Sequence, residues 1–156
     1  CAQLLFWLLA AIDGHAKNFS LFVLPGGRYR MTPLYDVLSA WPLMDTRPNA
    51  LQYKKTKLAM AVRGKTAHYK LSEIQRRHWE ALARRSGVDG AWDAMLDMTH
   101  HLDGALAAIE QRLPADFPVA LAHTVFQGVR RHLKQFNQGP LLADEAAAAG
   151  ETQSRN

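Results

Sequence analysis

An unbroken apolar run from Leu4 to Ile12 stops abruptly at the polar stretch Asp13-Gly14-His15-Ala16-Lys17-Asn18, and no other feature constrains the fold so strongly. A helix that is apolar on every side belongs inside a packed core. The loop that follows is therefore presented at the edge of that core. The run is too short to cross a bilayer, which takes roughly 17 residues or more, and no positively charged segment precedes it as in a secretory leader. The chain opens Cys1-Ala2-Gln3 with no initiator Met. A lipid-anchored cysteine would be followed by a polar tether, which is absent here. A buried helix cut at its start fits better, so the chain is taken as a piece of a longer protein.

After the loop, Phe19 to Leu24 has strand composition, Pro25-Gly26-Gly27 is a turn, and Arg28 to Pro33 alternates as a second strand. Residues 39–55 read as irregular, broken by Pro42 and Pro48, and the rest reads as helices. Ser72-Glu73-Ile74-Gln75 has the capping-box pattern and opens a helix ending near Gly87. Asp89 caps the next, one long helix whose stripe runs from Trp92 through Met95, Thr99, Leu102 and Leu106 to Leu113, where Pro114 stops it. Asp116 and Pro118 open a third, burying Ala122, Val125, Phe126, Val129, Leu133 and Phe136. The fold class is mainly α, a helical lobe with one short β-hairpin near the N-terminus. The lobe takes in residues 1–137 and a disordered tail residues 138–156.

With 48% hydrophobic residues in 156, the chain has material for one core. Cys1 is the only cysteine, which excludes an internal disulfide or a thiolate metal cluster and fits a reducing, cytoplasmic setting. The net charge is +5, and between Lys54 and Arg85 lie ten Lys and Arg against two acids, Glu73 and Glu80. Such a stretch suits an anionic partner or a solvated helix face equally well.

Asp13 and Asn18 stand five apart in one loop, as D-x-x-x-x-N. Protein kinases use this spacing, with Asp accepting the substrate hydroxyl proton and Asn holding Mg²⁺. A phosphoryl group in flight carries spread negative charge, so its catalyst must position a nucleophile and supply cations. The pair alone is unspecific. Its context raises it: an apolar helix precedes it, a Gly-Gly hairpin follows, and Asp36 stands just past the hairpin, where kinases carry a second metal-binding Asp.

The stretch from Ala11 to Phe22 resembles the catalytic loop of the HipA family, and Thr32-Pro33-Leu34-Tyr35-Asp36-Val37-Leu38-Ser39-Ala40 resembles its metal-binding segment. Lys57-Leu58-Ala59-Met60 and Leu113-Pro114-Ala115-Asp116-Phe117-Pro118 are also similar to family patterns of the helical region. The likeness extends to about Phe136. HipA proteins are bacterial serine/threonine kinases, usually the toxin of a toxin–antitoxin pair. The resemblance implies a kinase-like C-terminal lobe with ATP as substrate and Mg²⁺ as cofactor. It makes Asp13 the catalytic base, Asn18 and Asp36 metal ligands, and His15, Lys17, Asn18, Tyr35 and Asp36 nucleotide contacts. It implies a HipB-like antitoxin as partner and glutamyl-tRNA synthetase as protein substrate. It also implies operator DNA, met indirectly or through the basic residues Lys54 to Arg85. Asp36 lies between Tyr35 and Val37-Leu38 rather than in Asp-Phe-Gly, which agrees with HipA and not with a eukaryotic-type kinase. The phosphate-covering loop, Lys and adenine hinge of a complete member have no room before Asp13, so the isolated chain is expected not to turn over ATP.

Each residue also has a plainer reading. Asp13 and Asn18 suit an ordinary loop, Asp36 a local cap, and His15 a loop without function. His100 and His101 are neighbours on a helix and face different ways, so they cannot chelate as a pair one turn apart. Asp97 and His101 share a face as a surface contact. Trp79 and Trp92 read as core anchors. Two rival functions remain: a non-catalytic HipA remnant that docks an antitoxin or DNA, and a phosphotransferase acting on small molecules.

Overall fold

The computed structural model describes residues 1–45 and 47–142. Among them are five helices and two separate two-stranded antiparallel sheets. The first helix, α1 (Ala2–Leu8), buries Leu4, Phe6, Trp7 and Leu8. It ends at Leu8 rather than Ile12. The Ala10 N–H donates to the Trp7 carbonyl (2.9 Å) and the Ala11 N–H to the Phe6 carbonyl (2.7 Å), while Ala10 takes φ 49°. This is a Schellman close with Ala in the place usually held by Gly. The left-handed conformation costs an alanine roughly 1 kcal/mol, so tertiary contacts hold it there.

The loop then leads into the expected hairpin, β1 (Leu21–Leu24) and β2 (Arg28–Met31), paired Leu21 to Met31 and Val23 to Tyr29. Gly26 and Gly27 supply the positive φ of its turn (74° and 70°). A second hairpin, β3 (Lys57–Arg63) and β4 (Ala67–Lys70), stands where helix was expected, so Lys57-Leu58-Ala59-Met60 is a strand. Leu58 and Val62 are its buried residues, and its register is irregular between Lys57 and Val62. The Gln3 side chain donates to the Ala61 carbonyl (2.7 Å), and the Ala59 N–H donates to the Ile12 carbonyl (3.0 Å). This sheet therefore buttresses α1 and the residue before Asp13.

The remaining helices are α2 (Arg76–Arg85), α3 (Ala91–His100), α4 (Leu102–Glu110) and α5 (Val119–Gln138). Helix α2 begins at Arg76, not Ser72, because the Gln135 side chain from α5 holds the Ile74 carbonyl (2.8 Å) outside the helix. The long helix expected from Trp92 to Leu113 is two, broken at His101, whose ring takes the Asp97 carbonyl (2.9 Å). Gly90, at φ 70°, precedes α3 in the place expected of Asp89. Helix α5 buries Ala122, Phe126, Val129, Leu133 and Phe136 as expected, and also Gly128 and His132. Val125 is only partly covered.

Trp7 and Trp79 lie against one another at the centre (5.7 Å between rings) with Leu71, Ile74 and Phe136 around them. Trp92 packs on the rim of this core, against Phe136 (5.8 Å). Within the expected tail, the Leu142 N–H donates to buried Glu80 of α2 (3.1 Å). The rest of it, 143–156, lies outside the described residues. No helix among the described residues is long and apolar enough to cross a membrane.

Candidate active site

The loop from Asp13 to Asn18 lies on the ring of Phe6. A Cβ on Gly14 would overlap that buried ring, so only glycine lets the backbone settle there. Phe19 closes on the same ring from the far side of the loop (5.6 Å). The chain makes one short 3-10 turn, Ala16–Asn18, which turns the Asn18 side chain inward; Asn18 is 3% exposed. A buried amide needs partners for both its ends. Its Oδ1 accepts the His15 N–H (2.9 Å), and its Nδ2 donates to Asp36 Oδ2 (2.8 Å). Asn18 thus joins two segments 18 residues apart.

Asp36 has φ 57°, a left-handed conformation that Asp tolerates better than most side chains. The strain falls at the residue whose carboxylate meets Asn18. Tyr35, next to it, donates its hydroxyl to the Lys17 carbonyl (2.9 Å). Because that proton is committed, the Ser20 hydroxyl must be the donor in its 2.9 Å contact with Tyr35. Tyr35 therefore fastens the base of the β1–β2 hairpin to the loop, leaving the Lys17 ammonium with no partner among the described residues. Asp13 stands outermost, its side chain 77% exposed, with His15 Nε2 2.7 Å from its Oδ1.

All six candidate residues therefore come together. Asn18 hydrogen-bonds the His15 backbone and Asp36, the His15 ring pairs with Asp13, and Tyr35 ties Lys17 to them. Beside the His15 ring, which pairs with Asp13, the cluster offers oxygens: the Asn18 amide oxygen and the two Asp carboxylates. Such hard donors suit Mg²⁺. The Asn18 oxygen keeps one lone pair after bonding His15, and Asp36 Oδ1 has no partner among the described residues. The residues present fit the ion. Among the described residues no group of three or more His, Cys, Asp and Glu gathers as a metal cage of its own.

The site is an open ledge. Leu21, Val23, Tyr29 and Met31, on one face of the hairpin beside it, are each about half exposed or more. A hollow of about 670 Å³ lined by Pro42, Leu43, Arg47 and Pro48 lies elsewhere and includes none of the six residues. Asp97 and His101 meet at 3.3 Å on the surface, both well exposed, as a simple surface pair.

Some residues that hold the site left little trace in the sequence. Ser20 is an ordinary residue just before β1 until Tyr35 reaches it. Trp41 and His132 bond the end of α1 from far along the chain, His132 across 125 residues. The Gly in Asp-Gly-His was a visible signal, though its cause, the Phe6 ring, was not.

Compared with known protein families, residues 2–112 match the family described as the HipA-like C-terminal domain. The match takes in the loop, both hairpins and helices α1 to α4, and α5 lies beyond it. With more than two thirds of its length so matched, this chain belongs to the HipA-like C-terminal domain family.

Proposed function

We propose that the chain is the catalytic-loop lobe of a HipA-type serine/threonine protein kinase. The whole enzyme transfers the γ-phosphoryl of ATP to a protein hydroxyl, and glutamyl-tRNA synthetase is the proposed substrate. One observation carries the reading: the buried Asn18 amide bonded to the strained Asp36 carboxylate (2.8 Å), across a hairpin that separates them in sequence. The bond sets the two proposed metal ligands side by side.

In this reading Asp13 accepts the hydroxyl proton. Its outward position suits an incoming protein chain, and His15 holds one of its oxygens while Oδ2 has no partner among the described residues. Asn18 and Asp36 hold Mg²⁺, which supplies positive charge to the phosphates. Lys17 offers a point charge to a phosphate, and His15 and Tyr35 lie along the nucleotide. The open ledge gains walls only when another surface covers it, as adenine and phosphates require. A HipB-like antitoxin is the proposed neutralising partner.

The test is phosphoryl transfer from γ-labelled ATP by the whole kinase containing this lobe. D13N and D36N should each lower the rate by about 10²- to 10⁴-fold. Full activity in folded D13N would remove the base assignment. The purified 156-residue chain alone should transfer nothing, and Mg·ATP-dependent phosphorylation by it would refute that part.

Operator DNA is a proposed second partner, supported by exposed basic residues. Lys54, Lys55, Lys57, Arg63 and Lys65 are all exposed and make no ion pair among the described residues. Phosphate contacts by these residues predict affinity that falls steeply with salt and a slope that drops by about 1 for each Lys removed. A salt-independent affinity would exclude them.

A further inference from the structure

The segment carrying Asp36 is held at two ends. In front is the Asn18 amide. Behind, the chain runs through exposed Leu38 and re-enters the core at Ala40 and Trp41, which are 4% and 5% exposed. There it meets the end of α1. The Ala40 N–H donates to the Ala10 carbonyl (3.1 Å), and Trp41 Nε1–H donates to the Leu8 carbonyl (3.0 Å). The last carbonyls of a helix lack partners within it, and here the metal-side segment supplies them. The neighbouring Trp7 carbonyl takes a further bond from His132 Nδ1 on α5 (2.6 Å). Since a carbonyl only accepts, Nδ1 carries the proton, and Nε2 faces the Tyr53 hydroxyl (3.0 Å).

The rings are packed to match. His132 stacks on Trp7 (4.1 Å, 5° between planes) and meets Trp41 at its edge (4.6 Å). One turn earlier on α5, Gly128 lies flat beneath Trp41, where a Cβ would overlap the indole. Two side chains and a notch in α5 therefore decide where α1 stops, where the loop departs, and where the chain beyond Asp36 is anchored.

We propose that Trp41 and His132 are positioning residues, seated by Gly128, which set the separation between the Asp13–Asn18 loop and Asp36. This rests on the kinase reading above for its purpose, while its geometry stands apart from it. Neither residue touches the cluster. Each acts through the terminal carbonyls of α1.

The experiment uses the ¹⁵N-labelled 156-residue chain and follows hydrogen exchange of the Asn18 side-chain amide, the donor to Asp36. Trp41→Phe keeps an aromatic ring but loses the N–H with part of the indole, His132→Phe keeps the bulk and loses the donor, and His132→Asn keeps a donor. Leu106→Ala, in the core contributed by α4, is the control for general loss of stability. With a supporting hydrogen bond removed, exchange at Asn18 should rise by about tenfold in Trp41→Phe and His132→Phe. It should stay near the parent value in His132→Asn and Leu106→Ala. An unchanged Asn18 amide in folded Trp41→Phe and His132→Phe overturns the proposal, as does an equal rise in Leu106→Ala. If His132→Phe does not fold, Trp41→Phe decides alone. Titration with MnCl₂ tests the kinase reading separately. Parent chain should show broadening at Asn18 that D36N loses, and no broadening in the parent sinks the metal assignment while leaving the exchange comparison valid.

Discussion

The geometry of the candidate site depends on single atoms at Gly14, Asn18 and Asp36. Gly14 has no Cβ because the Phe6 ring occupies that space, and the ring cannot retreat since it is itself buried. Gly14→Ala therefore forces either the loop or Phe6 to move. Overpacking of this kind costs roughly 1–3 kcal/mol, and urea unfolding should show that loss along with weaker Mn²⁺ response at Asn18. A variant as stable as the parent would mean the loop does not rest on Phe6. Asp13, Asn18 and Asp36 could be picked out from spacing and order alone. That Asn18 is buried and shared between His15 and Asp36 could not, since a partner 18 residues away is chosen by folding.

At the scale of elements, α5 shows tertiary packing overruling local preference. A glycine within a helix is worse than alanine by roughly 1 kcal/mol, so Gly128→Ala on an isolated helix would stabilise. Here the added methyl would enter the Trp41 indole. Thermal unfolding should show Gly128→Ala lower in stability than the parent, by roughly 1–3 kcal/mol once overpacking outweighs propensity. A rise in Tm would show that Trp41 has room to shift. The same overruling explains the elements misread from sequence. Apolar spacing carried α1 on to Ile12, yet the helix closes at Ala10 on bonds from Trp41 and His132. The β3–β4 hairpin had a readable sign, the alternation of Leu58, Met60 and Val62 before Gly64. Its surrounding lysines and arginines resembled a charged helix face instead.

For the whole molecule, two histidines are kept neutral by burial. His132 is pushed down to about 3, chiefly by desolvation, and His78 to about 4 by desolvation and then by the charges of His68 and Arg77. Both folded values lie below the ordinary 6.5, so below that pH the unfolded chain takes up protons that the folded chain refuses. Stability is full above 6.5 and declines as the pH falls toward 4 and 3. His132 alone contributes a slope of roughly 1 kcal/mol per pH unit over that window. Urea midpoints at pH 7.5, 5.5 and 4.5 should fall in that order, and less steeply in His132→Asn. A flat profile would mean that His132 reaches solvent.

By itself the sequence determined what can be expressed locally: a core helix ending in a polar loop, a Gly-Gly hairpin, a mainly helical remainder, and three side chains in kinase order. Those features need only neighbouring residues, since periodicity and turn chemistry act over a few positions. Only the tertiary structure decided where α1 stops, that residues 57–70 form a hairpin, and that His132 and Gly128 pack on Trp7 and Trp41 at the other end of the chain. The reason is physical. Helix ends and buried polar groups take whichever donor folding brings to them, and that donor's place in the chain leaves no mark on the residues nearby.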